Sequence, residues 1–235
     1  MNTYAPERLS SAVAAICQDV QDRVARPAMQ PRERELWWEL SSCILSSQVP
    51  YALAVAATNA IDAEGLLLQS RRDRESLAAL LTDVLRRPLP VGDRSLAYRF
   101  PVVRARHIAA TRETVTAEAR SLKALVDRFH DATEARAWLV ANAPGVGPKQ
   151  ASMFLRNVGV SYDLAILDRH VLNYMSLLGI YSGANISIAS LPQYRRIETA
   201  LRDHADRLKC SVGILDWAIW IVMRVATRKM EPISI

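Results

Sequence analysis

From Pro6 onward the apolar residues of this chain recur at intervals of three and four, a spacing that buries one side of a helix and does not suit a strand. Leu9, Val13, Ile16, Val20 and Val24 form one such stripe. Pro31, followed by Arg32-Glu33-Arg34-Glu35, opens a second that carries Trp37, Leu40 and Ile44, and Pro50 ends or restarts it. The same spacing predicts helices at 50–63, 74–86, 101–119, 132–142, 148–158, 168–178, 192–208 and 211–228. Alternating β-branched runs are few. Breakers such as Arg87-Pro88-Leu89-Pro90-Val91-Gly92 separate the helical stretches, so an extensive sheet is excluded. With 235 residues, 50% of them hydrophobic, and no Ser/Gly linker or internal repeat, the chain is expected to fold as one compact all-α unit over 1–235, two-lobed with a cleft.

The longest apolar stretch, Ile214 to Met223, is interrupted by Asp216 and falls short of the roughly 18 residues of a membrane span, so no membrane partner is expected. The start, MNTYAPERLS, lacks the basic and apolar regions of a secretory signal. Three cysteines, Cys17, Cys43 and Cys210, are too few and too scattered for a four-cysteine zinc or iron–sulfur site or for a disulfide framework. They read as small buried apolar residues of a cytoplasmic protein.

Thirty basic against 24 acidic side chains leave a net charge of +6, which permits a polyanionic partner without demanding one. Its distribution is more telling. Arg94, Arg99, Arg104, Arg106 and Arg112 follow one another with no acid between Asp93 and Glu113. Lysine is scarce, occurring only at Lys123, Lys149, Lys209 and Lys229, and one of these adjoins a glycine turn.

That turn lies in WLVANAPGVGPKQASMFLRNVGVSYDLAILDRHVLNYM, residues 138–175. An apolar helix runs into Pro144-Gly145-Val146-Gly147 and another starts at Pro148, a helix–hairpin–helix over about 132–158. Two glycines one residue apart allow a tight turn and leave the amides of Gly145, Val146 and Gly147 at a helix N-terminus, where they can hold a phosphate without reading sequence. Ala151, Phe154, Leu155 and Val158 centre nearly opposite Lys149 on a helical wheel, so the lysine faces away from its helix's core. Further on, Leu164-Ala165-Ile166-Leu167 delivers Asp168 to the start of another helix. An amine and a carboxylate sharing one cleft suit attack on a sugar C1′, with the anion stabilising the charge that builds as a base departs. Such an amine must first lose its proton, through desolvation or a neighbouring charge. The same two residues would serve equally as a solvated lysine behind a DNA-binding hairpin and a helix N-cap.

The glycine hairpin, Lys149 and Asp168-Arg169-His170-Val171 resemble the helix–hairpin–helix DNA glycosylase superfamily, whose catalytic lysine and aspartate stand at these motif positions. Lys149-Gln150-Ala151-Ser152, Phe154-Leu155-Arg156-Asn157-Val158-Gly159 and Asp163 to His170 are most similar to the archaeal-type 8-oxoguanine DNA glycosylase/lyases. Trp38 to Ser47 and Tyr98-Arg99-Phe100-Pro101 leading to Arg104-Ala105-Arg106-His107-Ile108 agree with this. The resemblance covers most of residues 35–225. It implies a two-lobed α-helical fold acting as a monomer on double-stranded DNA that carries a lesion, nucleoid-associated in a prokaryote, with the damaged base flipped into the inter-lobe cleft.

It also implies roles for other residues. His170 matches a position that touches a DNA phosphate, although two residues after Asp168 it could also act as a base. Arg104 is a candidate phosphate contact or a solvated residue. Gln48 stands where other branches fill the gap left by the flipped base, and otherwise reads as a helix-end glutamine. Asp216, Trp220 and Met223, at i, i+4 and i+7, form a stripe apart from Leu215, Ala218, Ile219 and Val222. The family's Leu-Asp-x-x-x-Trp pattern makes that stripe a candidate pocket wall, where plain core is the alternative. Phe100 is a second stacking candidate, with a core position the stronger reading.

There are departures. Endonuclease III-like relatives hold a C-terminal iron–sulfur cluster, which a chain with only Cys210 in that half cannot, so no cofactor and no metal site are expected, apart from a monovalent cation that the hairpin could hold. The tail from Lys229 to Ile235 diverges from the lysine-rich end of the archaeal-type proteins, which helps complete the base pocket in that family. The expected activity is removal of 8-oxoguanine through a lysine Schiff base, followed by strand cleavage. The alternatives are the same chemistry on another damaged or modified base, as in genome defence, and a non-catalytic hairpin module, against which Lys149 and Asp168 together argue.

Overall fold

The computed structural model of the chain describes residues 5–24, 31–69, 73–183, 188 and 190–228. Among them are α1 (Pro6–Val24), α2 (Glu33–Leu45), α3 (Tyr51–Ala63), α4 (Arg74–Arg86), β1 (Leu89–Val91), β2 (Arg94–Leu96), α5 (Pro101–Ala119), α6 (Leu122–Asp127), α7 (Ala132–Asn142), α8 (Pro148–Asn157), α9 (Arg169–Leu177), α10 (Leu191–Arg207) and α11 (Val212–Arg228). The helical spacing in the sequence placed ten of the helices to within about two residues. No described helix is long and apolar enough to cross a membrane.

Two elements run against the simple pattern. The expected breaker at 87–92 is the first half of an antiparallel ribbon in which Leu89 pairs with Leu96, Pro90 with Ser95 and Val91 with Arg94. Gly92 takes φ +58 at the connecting turn, and Pro90 is tolerated because a two-stranded ribbon is all edge. The six-residue α6 is too short to show a helical stripe. Its N-terminus is held by the Ser121 hydroxyl, which accepts from the Ala124 amide, and by Glu33 of α2, whose carboxylate accepts from the Leu122 and Lys123 amides at 2.8 Å each. An anion from a distant helix thus meets the positive end of this one.

The chain divides into two compact units. Residues 30–158 form the first, here the hairpin unit. Its core gathers Leu36, Leu40 and Ile44 of α2, Leu81 and Leu85 of α4, Ile108 and Val115 of α5, and Phe154 and Leu155 of α8, all buried. Residues 1–29 and 159–235 form the second, the terminal unit. Its core joins Leu9, Val13 and Val20 of α1 to Tyr174 and Met175 of α9, Ile197 and Leu201 of α10, and Leu215, Ala218 and Ile219 of α11. Gly213 allows the start of α11 to close on residues 162–164. Its amide donates to the Tyr162 carbonyl at 2.8 Å, and a Cβ there would stand 2.7 Å from that oxygen.

The cysteines are not three equivalent core fillers. Cys17 and Cys43 are buried, but Cys210 is half-buried and its sulfur lies 3.5 Å from that of Cys17.

Candidate active site

In the hairpin unit, the Asp131 carboxylate starts α7 by accepting from the Thr133 amide at 2.8 Å, and α7 ends where the Ala143 amide closes on Leu139 O. Gly145 takes φ +83, and a Cβ on it would sit 2.4 Å from Nδ1 of His107. Both backbone and packing therefore require glycine there. Gly147 is the extended N-cap of α8 and Pro148 its first residue. The Gly145 and Gly147 amides make no backbone hydrogen bond among the described residues, as an anion-binding turn requires. Val146 differs from expectation. Its amide donates to Ala143 O at 3.1 Å and its side chain is buried, so it anchors the turn and has no amide to offer a phosphate. Buried Arg136 of α7 donates to the Ser152 hydroxyl of α8 at 3.2 Å, tying the two helices together.

Lys149 lies in the first turn of α8 and is partly exposed, while Ala151, Phe154 and Leu155 of the same helix are buried. Its charge is felt at the fully buried thiol of Cys43, where it opposes an upward pKa shift caused by burial and then by Glu39. Glu39 Oε1 accepts from Asn157 Nδ2 at 2.8 Å and from the Cys43 thiol at 3.5 Å, and burial raises its pKa. This Glu39–Cys43–Asn157 cluster was not singled out in the sequence, because its members are 118 residues apart at the extremes.

The end of α2 forms a second feature of this unit. Gln48 is exposed and held at φ +61, a conformation that side-chain-bearing residues seldom adopt. Two residues from the 98–104 segment steady the turn before it: the Tyr98 hydroxyl donates to Leu45 O at 2.8 Å and Arg104 to Ser47 O at 3.3 Å. Arg104 also lies 3.5 Å from His107 Nδ1, and its guanidinium faces the Phe100 ring at 5.7 Å. Arg104 is half-buried, and its guanidinium links the Gln48 turn to the histidine that packs on Gly145, while its Nε makes no hydrogen bond among the described residues. Phe100 is half-buried between Arg99 and Arg104, outside the core.

In the terminal unit, Asp168 is the N-cap of α9. Its Oδ1 accepts from the His170 amide at 2.8 Å and from the Val171 amide at 2.9 Å, and its Oδ2 has no partner among the described residues. The cap and a chemical role are therefore compatible, one oxygen for each. Long-range bonds fix the extended segment that leads to it. The Ala165 amide donates to Glu198 Oε1 at 2.7 Å, Ile166 to Asp216 Oδ2 at 2.6 Å and Leu167 to the Tyr194 hydroxyl at 2.9 Å, and that hydroxyl donates to Ala165 O at 2.8 Å.

Asp216 is thus a buried brace for this segment, with Oδ2 taken by the Ile166 amide. Met223 packs in the core of the unit, the alternative reading of its stripe. Trp220 departs from core packing, being 36% exposed with the Arg224 guanidinium 4.8 Å above its ring. His170 Nδ1 is buried with no hydrogen bond among the described residues. The tail from Lys229, named above as divergent, lies outside the described residues.

The hairpin unit therefore presents Gly145, Gly147, Lys149 and Gln48, and the terminal unit Asp168, His170 and Trp220. Among the described residues no group of three or more His, Cys, Asp or Glu could hold a metal ion.

Comparison with known proteins gives the chain's family. The family profile described as 8-oxoguanine DNA glycosylase matches residues 21–210. The 8-oxoguanine DNA glycosylase/AP lyase of Saccharolobus solfataricus is 34% identical over 188 residues, covering 79% of this chain and 81% of its own. The crystal structure of the 8-oxoguanine DNA glycosylase of Thermotoga maritima is similar with a TM-score of 0.68 at 30% identity, over 92% of this chain and 95% of that one. The Methanocaldococcus jannaschii 8-oxoguanine glycosylase/lyase, in complex with a 15-mer DNA containing 8-oxoguanine, gives a TM-score of 0.62 at 27% identity, over 94% and 91% of the two chains.

Proposed function

The chain belongs to the helix–hairpin–helix family of 8-oxoguanine DNA glycosylases, and from that premise we propose how its residues carry out the family's DNA N-glycosylase and AP lyase activity. The amides of Gly145 and Gly147 hold a phosphate of duplex DNA, with His170 as a second backbone contact. Gln48, already in its left-handed turn, enters the gap as 8-oxoguanine leaves the stack, and the exposed ring of Trp220 receives the flipped base. The unprotonated Nζ of Lys149 attacks C1′. The C1′–N9 bond breaks with its electron pair moving to the base, which takes up a proton. The free oxygen of Asp168 faces the positive charge that builds on the sugar as this happens. The amine stays on C1′ and gives up a proton, the C1′–O4′ bond breaks with its electron pair moving to O4′, which takes up a proton, and the opened sugar is left as an imine protonated on nitrogen. A C2′ proton is then lost, and the C3′–O bond breaks with its electron pair leaving on the 3′ phosphate. The protein acts as a monomer and needs no cofactor for these steps.

The observation that supports this reading best is Lys149, which follows Pro148 in the first turn of α8 and is partly exposed while Ala151, Phe154 and Leu155 of the same helix are buried. Borohydride added during reaction with an 8-oxoguanine duplex should trap a covalent protein–DNA adduct. Lys149→Gln should abolish the adduct while leaving binding to an abasic-site analogue within a few-fold. An adduct that persists in Lys149→Gln would falsify the assignment of the nucleophile.

A further inference from the structure

Cys17 is on α1 and Cys210 in the turn between α10 and α11, yet their sulfurs share a hydrogen bond at 3.5 Å. This contact has no part in the chemistry above. Cys17 is 3% exposed, packed among the terminal-unit core, while Cys210 is half-buried at its edge. The turn that carries Cys210 is unusual. Lys209, immediately before it, takes φ +56, and the Cys210 amide reaches back to Ala205 O at 3.2 Å. No third metal-ligating side chain joins the pair among the described residues, which argues against a shared metal ion.

We infer that Cys17 and Cys210 form an oxidation site whose co-substrate is a hydroperoxide, with Cys210 as the attacking sulfur and Cys17 as the resolving one. The Cys210 thiolate attacks the peroxide oxygen, an S–O bond forms, the O–O bond breaks, and hydroxide or alkoxide leaves and takes the thiol's proton. Cys17 then attacks the sulfenic sulfur. The S–S bond forms, the S–O bond breaks, and the departing oxygen takes the Cys17 proton and leaves as water. In sum, two thiols lose two electrons and two protons, and one hydroperoxide becomes water and an alcohol, or two waters from hydrogen peroxide.

The division of roles follows from exposure, since only Cys210 reaches the edge of the core. Acidity agrees with it. Their shared hydrogen bond, then burial, holds the proton on Cys17, while the same bond lowers Cys210 against the opposing effects of burial and Asp206. Closing the pair from 3.5 Å to the roughly 2.05 Å of a disulfide needs a sulfur displacement of side-chain size. The product would join α1 to the start of α11, the helix that carries Trp220, across nearly the whole chain. A cross-link closing so long a loop restricts the unfolded chain strongly. Hydroperoxides accompany the oxidants that make 8-oxoguanine, so the terminal unit would be fastened under the conditions that create the substrate.

The test uses the intact protein. It is treated with a small excess of hydrogen peroxide, quenched, alkylated in denaturant and mapped as peptides without reductant. Alkylatable thiols should fall from three to one, with Cys43 the survivor, a Cys17–Cys210 peptide should appear, and the apparent Tm should rise by about 5–10 °C, reversibly with dithiothreitol. Cys17→Ser should leave Cys210 as a sulfenic acid that dimedone labels. Three free thiols in a sample whose added glutathione is fully oxidised would overturn the inference, as would oxidation confined to Cys43. Should Cys17→Ser fail to fold, the wild-type peptide map decides alone.

Discussion

Lys149 and Asp168 stand nineteen residues apart in the chain and are held in place by different means. The hairpin that carries Lys149 is set chiefly by its own sequence: Asp131 opens α7, Val146 closes on Ala143, Gly145 supplies the positive φ, and Pro148 starts α8. The segment that carries Asp168 is set from a distance, because Glu198, Asp216 and Tyr194 of α10 and α11 each take up one of three consecutive amides ahead of it. A turn made from local chemistry can move as a piece onto DNA, whereas a strand-like segment with few bonds of its own depends on buried partners for sub-ångström placement. Damage to the first should therefore appear in binding, and damage to the second in the rate of base loss.

The largest expected effect of this kind is at Asp168 itself. Asp168→Asn keeps an oxygen for the His170 and Val171 amides, so the N-cap and the fold should survive. It removes the charge that faces the developing cation, and single-turnover excision of 8-oxoguanine should slow by about 10²–10³, with DNA affinity nearly unchanged. A rate close to that of the wild type would reduce Asp168 to a helix cap. Gly145→Ala tests the opposite side. An alanine at φ +83 is strained, and its methyl would enter the ring of His107, so a stability loss of about 1–3 kcal/mol is expected. Affinity for lesion-free and lesion-bearing duplexes should fall together, about tenfold, while the rate at saturating enzyme changes less. Selective loss on lesion DNA would mean that the hairpin takes part in base recognition.

A smaller effect separates bracing from chemistry. Tyr194→Phe removes the acceptor for the Leu167 amide and the donor to Ala165 O, leaving buried groups unpaired at about 1–3 kcal/mol. Excision should slow about tenfold with little change in affinity. Glu198→Gln retains an acceptor oxygen for the Ala165 amide and should recover most of the rate seen in Glu198→Ala. If both Glu198 variants lower stability but leave the rate alone, the amide braces are structural only.

The same contrast explains what could be read in the chain. Ten helices, the hairpin glycines, Lys149 and the Asp168 cap depend on periodicity and turn chemistry within a few residues, so they were legible. What escaped depends on partners far off in sequence. α6 is capped by Glu33 about 90 residues earlier. Arg104 braces the Gln48 turn because Ser47 O, 57 residues away, gives its guanidinium a partner, a contact that spacing along the chain does not show. The helical wheel put Asp216, Trp220 and Met223 on one stripe, but the Ile166 amide claimed Asp216 and the core took Met223, leaving only Trp220 exposed. Cys17 and Cys210 meet only because α1 joins the C-terminal helices, and spacing along the chain gives no sign of that.

The smallest predicted effect asks whether the two units respond alike to acid. His107, in the hairpin unit, has its pKa lowered first by burial and then by the Arg104 guanidinium. His204, in the terminal unit, is lowered by burial and then by Arg207, with the Tyr174 hydroxyl 3.0 Å from its Nε2. Each folded unit therefore favours a neutral imidazole, while the unfolded chain takes up protons near pH 6.5. Below that value the unfolded state binds more protons than the folded one, so stability that is complete above pH 6.5 is lost as the pH falls toward the depressed native values. Urea midpoints measured at pH 7.5 and 5.5 should show a modest fall for the wild type. His107→Gln, which cannot take up that proton, should show a smaller one, with the remainder due to His204. An undiminished fall in His107→Gln would mean that the ring packed on Gly145 titrates as freely in the folded protein as in the unfolded chain, and that the Arg104–His107 contact contributes nothing to holding the Gln48 turn and the hairpin together.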